Sequence, residues 1–430
     1  MIFQLMVGLA LTYLAWSMLC LEINIRKARA LNVPVVRLPI DPISDPDAIV
    51  SITCVLKDLR HFRVGSISLM DIEIELLEVY GPCISTAGWD DWARHRKVLA
   101  APFNESVMHF VWDESLRQAT AMLRSWTGTQ AAAGIPSVQK DTRTLSLNVL
   151  AATGFRKSYD FHGSADVAAH DEAGSYRDAL QTVLDNAILI MIIPYRYLRG
   201  SLVPKKLVRI GDAARSFKKH MVKMLEDETS ALRDNEPGSG GIMSALVRAL
   251  DVHEREVIVQ PNLKDSKEGK RGLSVDEIFG NLFVINFAGH DTTANTLAFS
   301  MLLLAAHPEV QAWLAEELAA IQDGKDTAVE QWDYRAVFPR LKRCQAVVLE
   351  TLRLYPPIMS LPKWTKGRAQ TLKVGEQTLV IPPGVGTSPH LLAMHTHPRY
   401  WEDPFAWKPA RWIVAGSHPA PDSAAASEEL

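Results

Sequence analysis

Apolar and polar positions change rhythm along this chain and divide it into four stretches. The first 21 residues, MIFQLMVGLALTYLAWSMLCL, carry no charged side chain. At 1.5 Å per residue that predicts a helix able to cross a hydrocarbon layer of roughly 30 Å. Residues 22–46 bring Arg26, Lys27 and Arg29, then Pro34, Pro39, Pro42 and Pro46. Proline cannot continue a helix, so this reads as a basic, stiff linker. Helical periodicity dominates most of residues 47–414, with loops at 233–241 and 262–272, and residues 415–430 have the small, polar composition of an unpacked tail. The clearest strand signal is TLKVGEQTLVIPPG, 371–384, two β-rich segments about a Gly-Glu-Gln turn that predict a hairpin. The pattern thus predicts a mainly α protein with a small β domain and one N-terminal transmembrane helix.

The longest helical run begins where Ser274 precedes Glu277 at capping-box spacing, and no proline follows until Pro308. That allows a helix on the order of 45–50 Å. Its flanks are oily all round, as befits a helix through a core. Its centre, NFAGHDTTANT from 286 to 296, is not. Gly289 predicts a notch in which another molecule can approach the backbone. Asp291 and Thr292 set a carboxylate and a hydroxyl beside it, and a threonine can bond back to the preceding turn. These residues alone equally fit a helix kink with satisfied threonines.

Composition narrows the partners. With 430 residues, 47% hydrophobic content and a formal charge of -3, the chain can bury a large core, and its charge does not point to nucleic acid. Cys20, Cys54, Cys83 and Cys344 are widely separated, which fits a reducing compartment better than a disulfide framework or zinc site. No basic residue precedes the apolar N-terminal run, whereas three follow it, so the positive-inside rule places the body in the cytosol.

Three further motifs carry chemistry. WDDWARHRK, 89–97, sets Trp92 and Arg96 at i and i+4, an indole donor and a guanidinium pointing the same way, able to bind an anion. Alone, that pattern also fits an amphipathic surface helix. ETLRLYPP, 350–357, puts Glu350 and Arg353 on one helical face, with Leu341, Cys344, Val348, Leu352 and Tyr355 as an apolar stripe on another. Such an acid–base pair is ordinarily a solvated surface pair. PFAWKPARW, 404–412, supplies Arg411, which could complete a buried network with Glu350 and Arg353.

In this order, the apolar N-terminus, the proline-rich hinge, WARHR, AGHDTT, ETLR and PARW resemble the cytochrome P-450 family of haem-thiolate monooxygenases, and the likeness covers nearly the whole chain. The resemblance implies haem b between the long central helix and a proximal helix. Ala288 and Gly289 would line an oxygen pocket, with Asp291 and Thr292 as catalytic residues delivering protons to bound O2. Trp92 and Arg96, with Lys363 in LPKWTK as a weaker third, would bind haem propionates. Glu350, Arg353 and Arg411 would form the structural network. It further implies a lipophilic small-molecule substrate, an NADPH-dependent flavin reductase as electron donor, and the endoplasmic reticulum membrane as location. LPKWTK and WKPARW look most like fungal membrane members, whose pathways often make secondary metabolites.

One departure stands against the resemblance. After Arg411 the family expects a loop F-x-x-G-x-R-x-C-x-G whose cysteine binds the iron, and here only WIVAGSHPAPDSAAASEEL follows. None of the four cysteines is a credible substitute. The sequence therefore leaves two expectations: a monooxygenase by lineage, incomplete at its C-terminus, or a catalytically inactive pseudoenzyme without the haem thiolate ligand that binds an apolar ligand or a partner.

Overall fold

The computed structural model describes residues 77–413 except 129–133, 157, 165–174, 202, 235–240, 251–271, 323–328, 360–362, 366 and 375–376. The expected membrane helix, the linker and the tail from 415 lie outside the described residues. Within them, no single helix is long and apolar enough to cross a membrane.

The described helices, in order, are α1 (Trp89–Ala100), α2 (Glu105–Thr127), α3 (Val138–Phe155), α4 (Tyr176–Asp185), α5 (Ala187–Ile192), α6 (Lys205–Arg233), α7 (Ile242–Arg248), α8 (Val275–Ala306), α9 (Pro308–Gln322), α10 (Tyr334–Val337), α11 (Lys342–Leu354) and α12 (Leu391–Thr396). The strands are β1 (Lys363–Trp364), β2 (Gln370–Val374), β3 (Gln377–Ile381) and β4 (Gly386–Thr387). The chain divides into two compact units. Among the described residues, those of 77–357 with 406–413 form the larger, and those of 358–405 the smaller.

The described part of the larger unit is built of helices joined by loops, with one bridge between Leu250 and Leu273, and its helix starts are written locally. Asn104, Ser137, Ser175 and Ser274 each accept a hydrogen bond from a first-turn N–H, the contact that a helix N-terminus otherwise leaves unmade. At Ser274 the capping box is complete: Glu277 N–H donates to the serine and Ser274 N–H to the Glu277 carboxylate at 2.7 Å. The long helix α8 follows, ending at Ala306, two residues before the predicted proline stop. Its first half is sealed in the core, where Ile278, Phe279, Leu282 and Phe283 meet α4, α6 and α7 residues such as Leu180, Phe217 and Leu246. Tyr80 anchors this core, its ring against Tyr195, Phe217 and Phe283 and its hydroxyl donating to Ala214 O at 3.1 Å.

Within the smaller unit, β2 and β3 pair antiparallel from Gln370↔Ile381 to Val374↔Gln377, the predicted hairpin. β1 pairs antiparallel with β4, Lys363 opposite Thr387. Thr365 joins them to the following turn, donating its hydroxyl to Pro382 O at 2.8 Å.

Candidate active site

The polar centre of α8 splits into two faces. On one, Ala288 and Thr293 are exposed, and Thr292 donates its hydroxyl to Ala288 O at 2.6 Å. Thr296 repeats this one turn on, to Thr292 O at 2.8 Å. These are the back-bonds expected of threonine in a helix. On the other face α3 closes against the helix. Ser146 donates to His290 O at 3.1 Å, with Gly289 O at 3.4 Å.

Gly289 corrects an expectation. A Cβ there would lie 3.1 Å from Leu150 Cδ2 and 3.5 Å from Cδ1, so the missing side chain accommodates α3 and the predicted open notch is already filled. Loss of a methyl lets two helices approach, a packing use of glycine that leaves exposed Ala288 as the small residue on the open face. Asp291 is half exposed, and its Oδ1 meets Arg143 Nη2 at 2.9 Å, while the same nitrogen reaches Asp185 Oδ1 at 3.1 Å.

Helix α1 also divides by face. Trp92 and Arg96 are both exposed, as the i, i+4 spacing predicts for donors on one side. Arg94 and His95 turn inward to a carboxylate that the sequence offered only as a cap. Arg94 Nη2 and Nη1 donate to Glu277 Oε1 and Oε2 at 2.6 and 2.9 Å, and His95 Nε2 lies 3.3 Å from Oε1. Burial pushes the Glu277 carboxyl up. Hydrogen bonds from Arg94, His95 and the Ser274 N–H outweigh it and hold the group well below the usual carboxylate range. Glu277 precedes Ala288 by 11 residues on α8, about 16 Å along the axis, so this ion pair fixes α1 to the helix that carries the polar centre.

The Glu350 carboxylate gathers five donors. Arg353 donates twice to the carboxylate, at 2.8 Å each; Arg411 Nε donates at 3.0 Å, Trp412 Nε1 at 2.9 Å and Lys408 N–H at 2.9 Å. Burial again opposes the charged form, and these donors bring the carboxyl below its usual value. Arg353 and Glu350 are sealed from solvent, at 1% and 0% side-chain exposure. The network expected of Glu350, Arg353 and Arg411 is thus a buried one. The acid–base side is buried, while Val348 and Tyr355 of the apolar stripe are exposed. Trp407 and Trp412 join the cluster, Trp407 through its indole N–H to Thr351 Oγ1 at 3.3 Å. Tyr355 stacks on Phe299 of α8, ring centroids 4.7 Å apart.

Ala288, Gly289, Asp291 and Thr292 therefore share one stretch of α8, and α1 presents Trp92 and Arg96 in the same unit. Glu350, Arg353 and Arg411 converge as expected. Lys363 belongs to the smaller unit, exposed on β1. Set against a haem, these residues fit on two sides: small and hydroxylic groups on the open face of α8, and an indole and a guanidinium for carboxylates. Neither described cysteine fits the iron. Cys83 is fully buried in the core, and burial, then Glu317, pushes the Cys344 thiol up to about 11, away from the thiolate a metal needs.

Comparison with known proteins agrees with this geometry. The cytochrome P450 profile matches residues 51–421. A cytochrome P450 monooxygenase of Arthrobotrys oligospora is 28% identical over 378 residues, 86% of this chain and 62% of that protein. One from Postia placenta is 29% identical over 347 residues, 79% and 62%. The phomenoic acid biosynthesis cluster cytochrome P450 monooxygenase of Leptosphaeria maculans is 26% identical over 350 residues, 78% and 58%. The chain spans roughly three fifths of the length of the curated relatives it matches. With most of its length matched by the profile, the chain belongs to the cytochrome P450 family.

Proposed function

We propose that this protein is a haem-dependent monooxygenase that inserts one oxygen atom of O2 into a lipophilic small molecule. We place it in secondary metabolism, as the name of the Leptosphaeria maculans relative suggests. The observation that carries the reading is the open face of α8, where the Thr292 hydroxyl is back-bonded to Ala288 O beside half-exposed Asp291. When bound, haem supplies the iron that activates O2 for insertion into an apolar substrate. The chain's own part is proton handling. Thr292 can turn its hydroxyl from Ala288 O toward the open face and offer a proton there, while Asp291, held by Arg143 and reached by solvent, can replace it. Trp92 and Arg96 suit the haem carboxylates, and Lys363 is a further donor by its motif alone.

The remaining parts of the reading come from sequence and family. Residues 1–21 would tether the protein to the endoplasmic reticulum membrane with its body in the cytosol, and an NADPH-dependent flavin reductase on that membrane would supply electrons. The test is spectroscopic and isotopic. Protein prepared with haem and a reductase should place one atom of labelled O2 into an apolar product. Thr292→Val should then consume NADPH with at least several-fold less product. Absence of any Soret shift on haem titration would sink this reading and favour a catalytically inactive member that binds an apolar ligand or partner.

A further inference from the structure

His95 lies on α1 between the two exposed donors Trp92 and Arg96, yet its own ring is buried, at 1% side-chain exposure. Both ring nitrogens are engaged, and groups that have no choice of role set the direction of each bond. The Ile84 N–H can only donate, and it meets Asn281 Oδ1 at 2.8 Å. The Glu277 backbone carbonyl can only accept, and it takes Asn281 Nδ2 at 2.7 Å. Together they fix which way the Asn281 amide faces, so its second N–H donates to His95 Nδ1, 3.1 Å away. A ring nitrogen that accepts carries no proton, which puts the proton of the neutral ring on Nε2. That N–H meets Glu277 Oε1 at 3.3 Å, and Glu277, held well below the usual carboxylate range, is ionised and can only accept. From Ile84 through Asn281 and His95 to Glu277, every donor therefore faces an acceptor.

Arg94 and His95 thus pin α1 to α8 in different ways. Arg94 takes both Glu277 oxygens through a long, many-jointed side chain, which can follow a small shift of the helix and keep its charge paired. The short imidazole is held at both edges, so a roll or slide of α1 breaks at least one of its bonds. Successive residues sit about 100° apart around a helix, so the roll that His95 sets also decides where its neighbours Trp92 and Arg96 point. We propose that His95 is a positioning residue for haem binding: its ring, held between Asn281 and Glu277, fixes the roll of α1 against α8 and thereby aims the Trp92 indole and the Arg96 guanidinium at the haem carboxylates. The role rests on the function proposed above; the direction of the hydrogen bonds does not. Arg94 supplies the strength of the attachment, and His95 supplies its angle.

Two measurements on the full chain test this. In nitrogen NMR spectra of the histidine-labelled protein without haem, at about pH 8, above the ordinary imidazole value, the signal that disappears in His95→Gln should be that of an Nε2–H tautomer. An Nδ1–H tautomer would overturn the proposal. Haem titration followed at the Soret band then reads the role. His95→Gln and Arg96→Gln should each weaken haem binding about tenfold, whereas adding His95→Gln to the Arg96→Gln protein should cost no more than about a further threefold, because one of the groups that His95 aims is already gone. Losses that multiply in full would make His95 a structural residue only and overturn the proposal, as would unchanged binding in His95→Gln. If His95→Gln does not fold, His95→Asn, which keeps an acceptor for Asn281 and gives up the donor to Glu277, takes its place in the same cycle. No Soret shift with the unmodified chain would sink the haem reading and this role together; a shift with fully multiplying losses would sink the role alone.

Discussion

The first half of α8 and its centre lie on one helix, yet they are held by different kinds of contact. Near Gly280 the helix meets backbone: a Cβ there would overlap Gly81 O and Pro82 O. Asn281 accepts from the Ile84 N–H at 2.8 Å, and Glu277 takes Arg94 in a forked pair. Nothing in that set can move without breaking a hydrogen bond or a close backbone packing. Ten residues on, the contacts are made by the ends of side chains: Leu150 against Gly289, Arg143 against Asp291, and Thr292 against its own helix. A locked end and an adjustable centre would suit the proton handling proposed for α8, since the first fixes position and the second can change partners. Fold stability should therefore depend steeply on the first region and weakly on the second.

Gly280→Ala is the harshest test of that contrast. The added methyl would collide with two backbone oxygens that belong to a turn, and neither can rotate away. Overpacking of this kind costs about 1–3 kcal/mol, and the rigid neighbours put this site at the upper end or beyond. Urea unfolding followed by tryptophan fluorescence should show a lowered midpoint, or the protein should fail to accumulate folded. A neutral result would mean that the end is not locked.

Glu277→Gln removes charge while keeping shape. Arg94 retains Asp91 at 3.0 Å and the Gly272 carbonyl, so the loss is that of charge-assisted bonds and not of a fully stranded cation. We expect about 2 kcal/mol at neutral pH. The sign with pH follows from the folded carboxyl lying below its ordinary value of 4.5. Its stabilisation is complete above that value and is lost as pH falls from there toward the folded pKa. The gap between the native protein and Glu277→Gln should thus be flat from neutral pH to about 5 and narrow with further acid. A gap that widens in acid would contradict the assigned partners.

How much of this could be read beforehand depended on how far apart the partners lie in the chain. The Ser274–Glu277 box, the proline stop and the 370–381 hairpin are local, and their spacing alone placed them. Glu350, Arg353 and Arg411 were placed by motif order, since three-residue spacing on a helix says nothing about burial. The same locality hid the second role of Glu277, whose partners Arg94 and His95 are 183 and 182 residues away. Gly280 lies in an oily run, and a glycine inside a helical pattern is a sign of close backbone approach without naming the partner, here Gly81 and Pro82. At Gly289 the pattern marks a close approach without saying what approaches, and in the structure it is Leu150. On α11 the apolar stripe alone would not have told which side is buried: apolarity predicts burial only where the polar side lacks buried partners, and here five donors serve one carboxylate.

Gly289→Ala should have the smallest effect, and two opposing terms make it informative. Alanine in a helix interior is favoured over glycine by about 1 kcal/mol. Against that, the new methyl would sit 3.1 Å from Leu150 Cδ2, closer than comfortable contact, and a leucine terminus can relieve this by a small torsional shift costing on the order of 1 kcal/mol. The net change in unfolding free energy should fall within about 1 kcal/mol of zero. Because the substitution faces α3, the Thr292–Ala288 side should be untouched, and any labelled-oxygen incorporation should survive it. If Gly289→Ala destabilises as much as Gly280→Ala, Leu150 cannot yield, and the centre of α8 is as rigid as its first half. If stability is kept but oxygen incorporation is abolished, Gly289 serves the open face after all, and Leu150 must vacate the notch in the working protein.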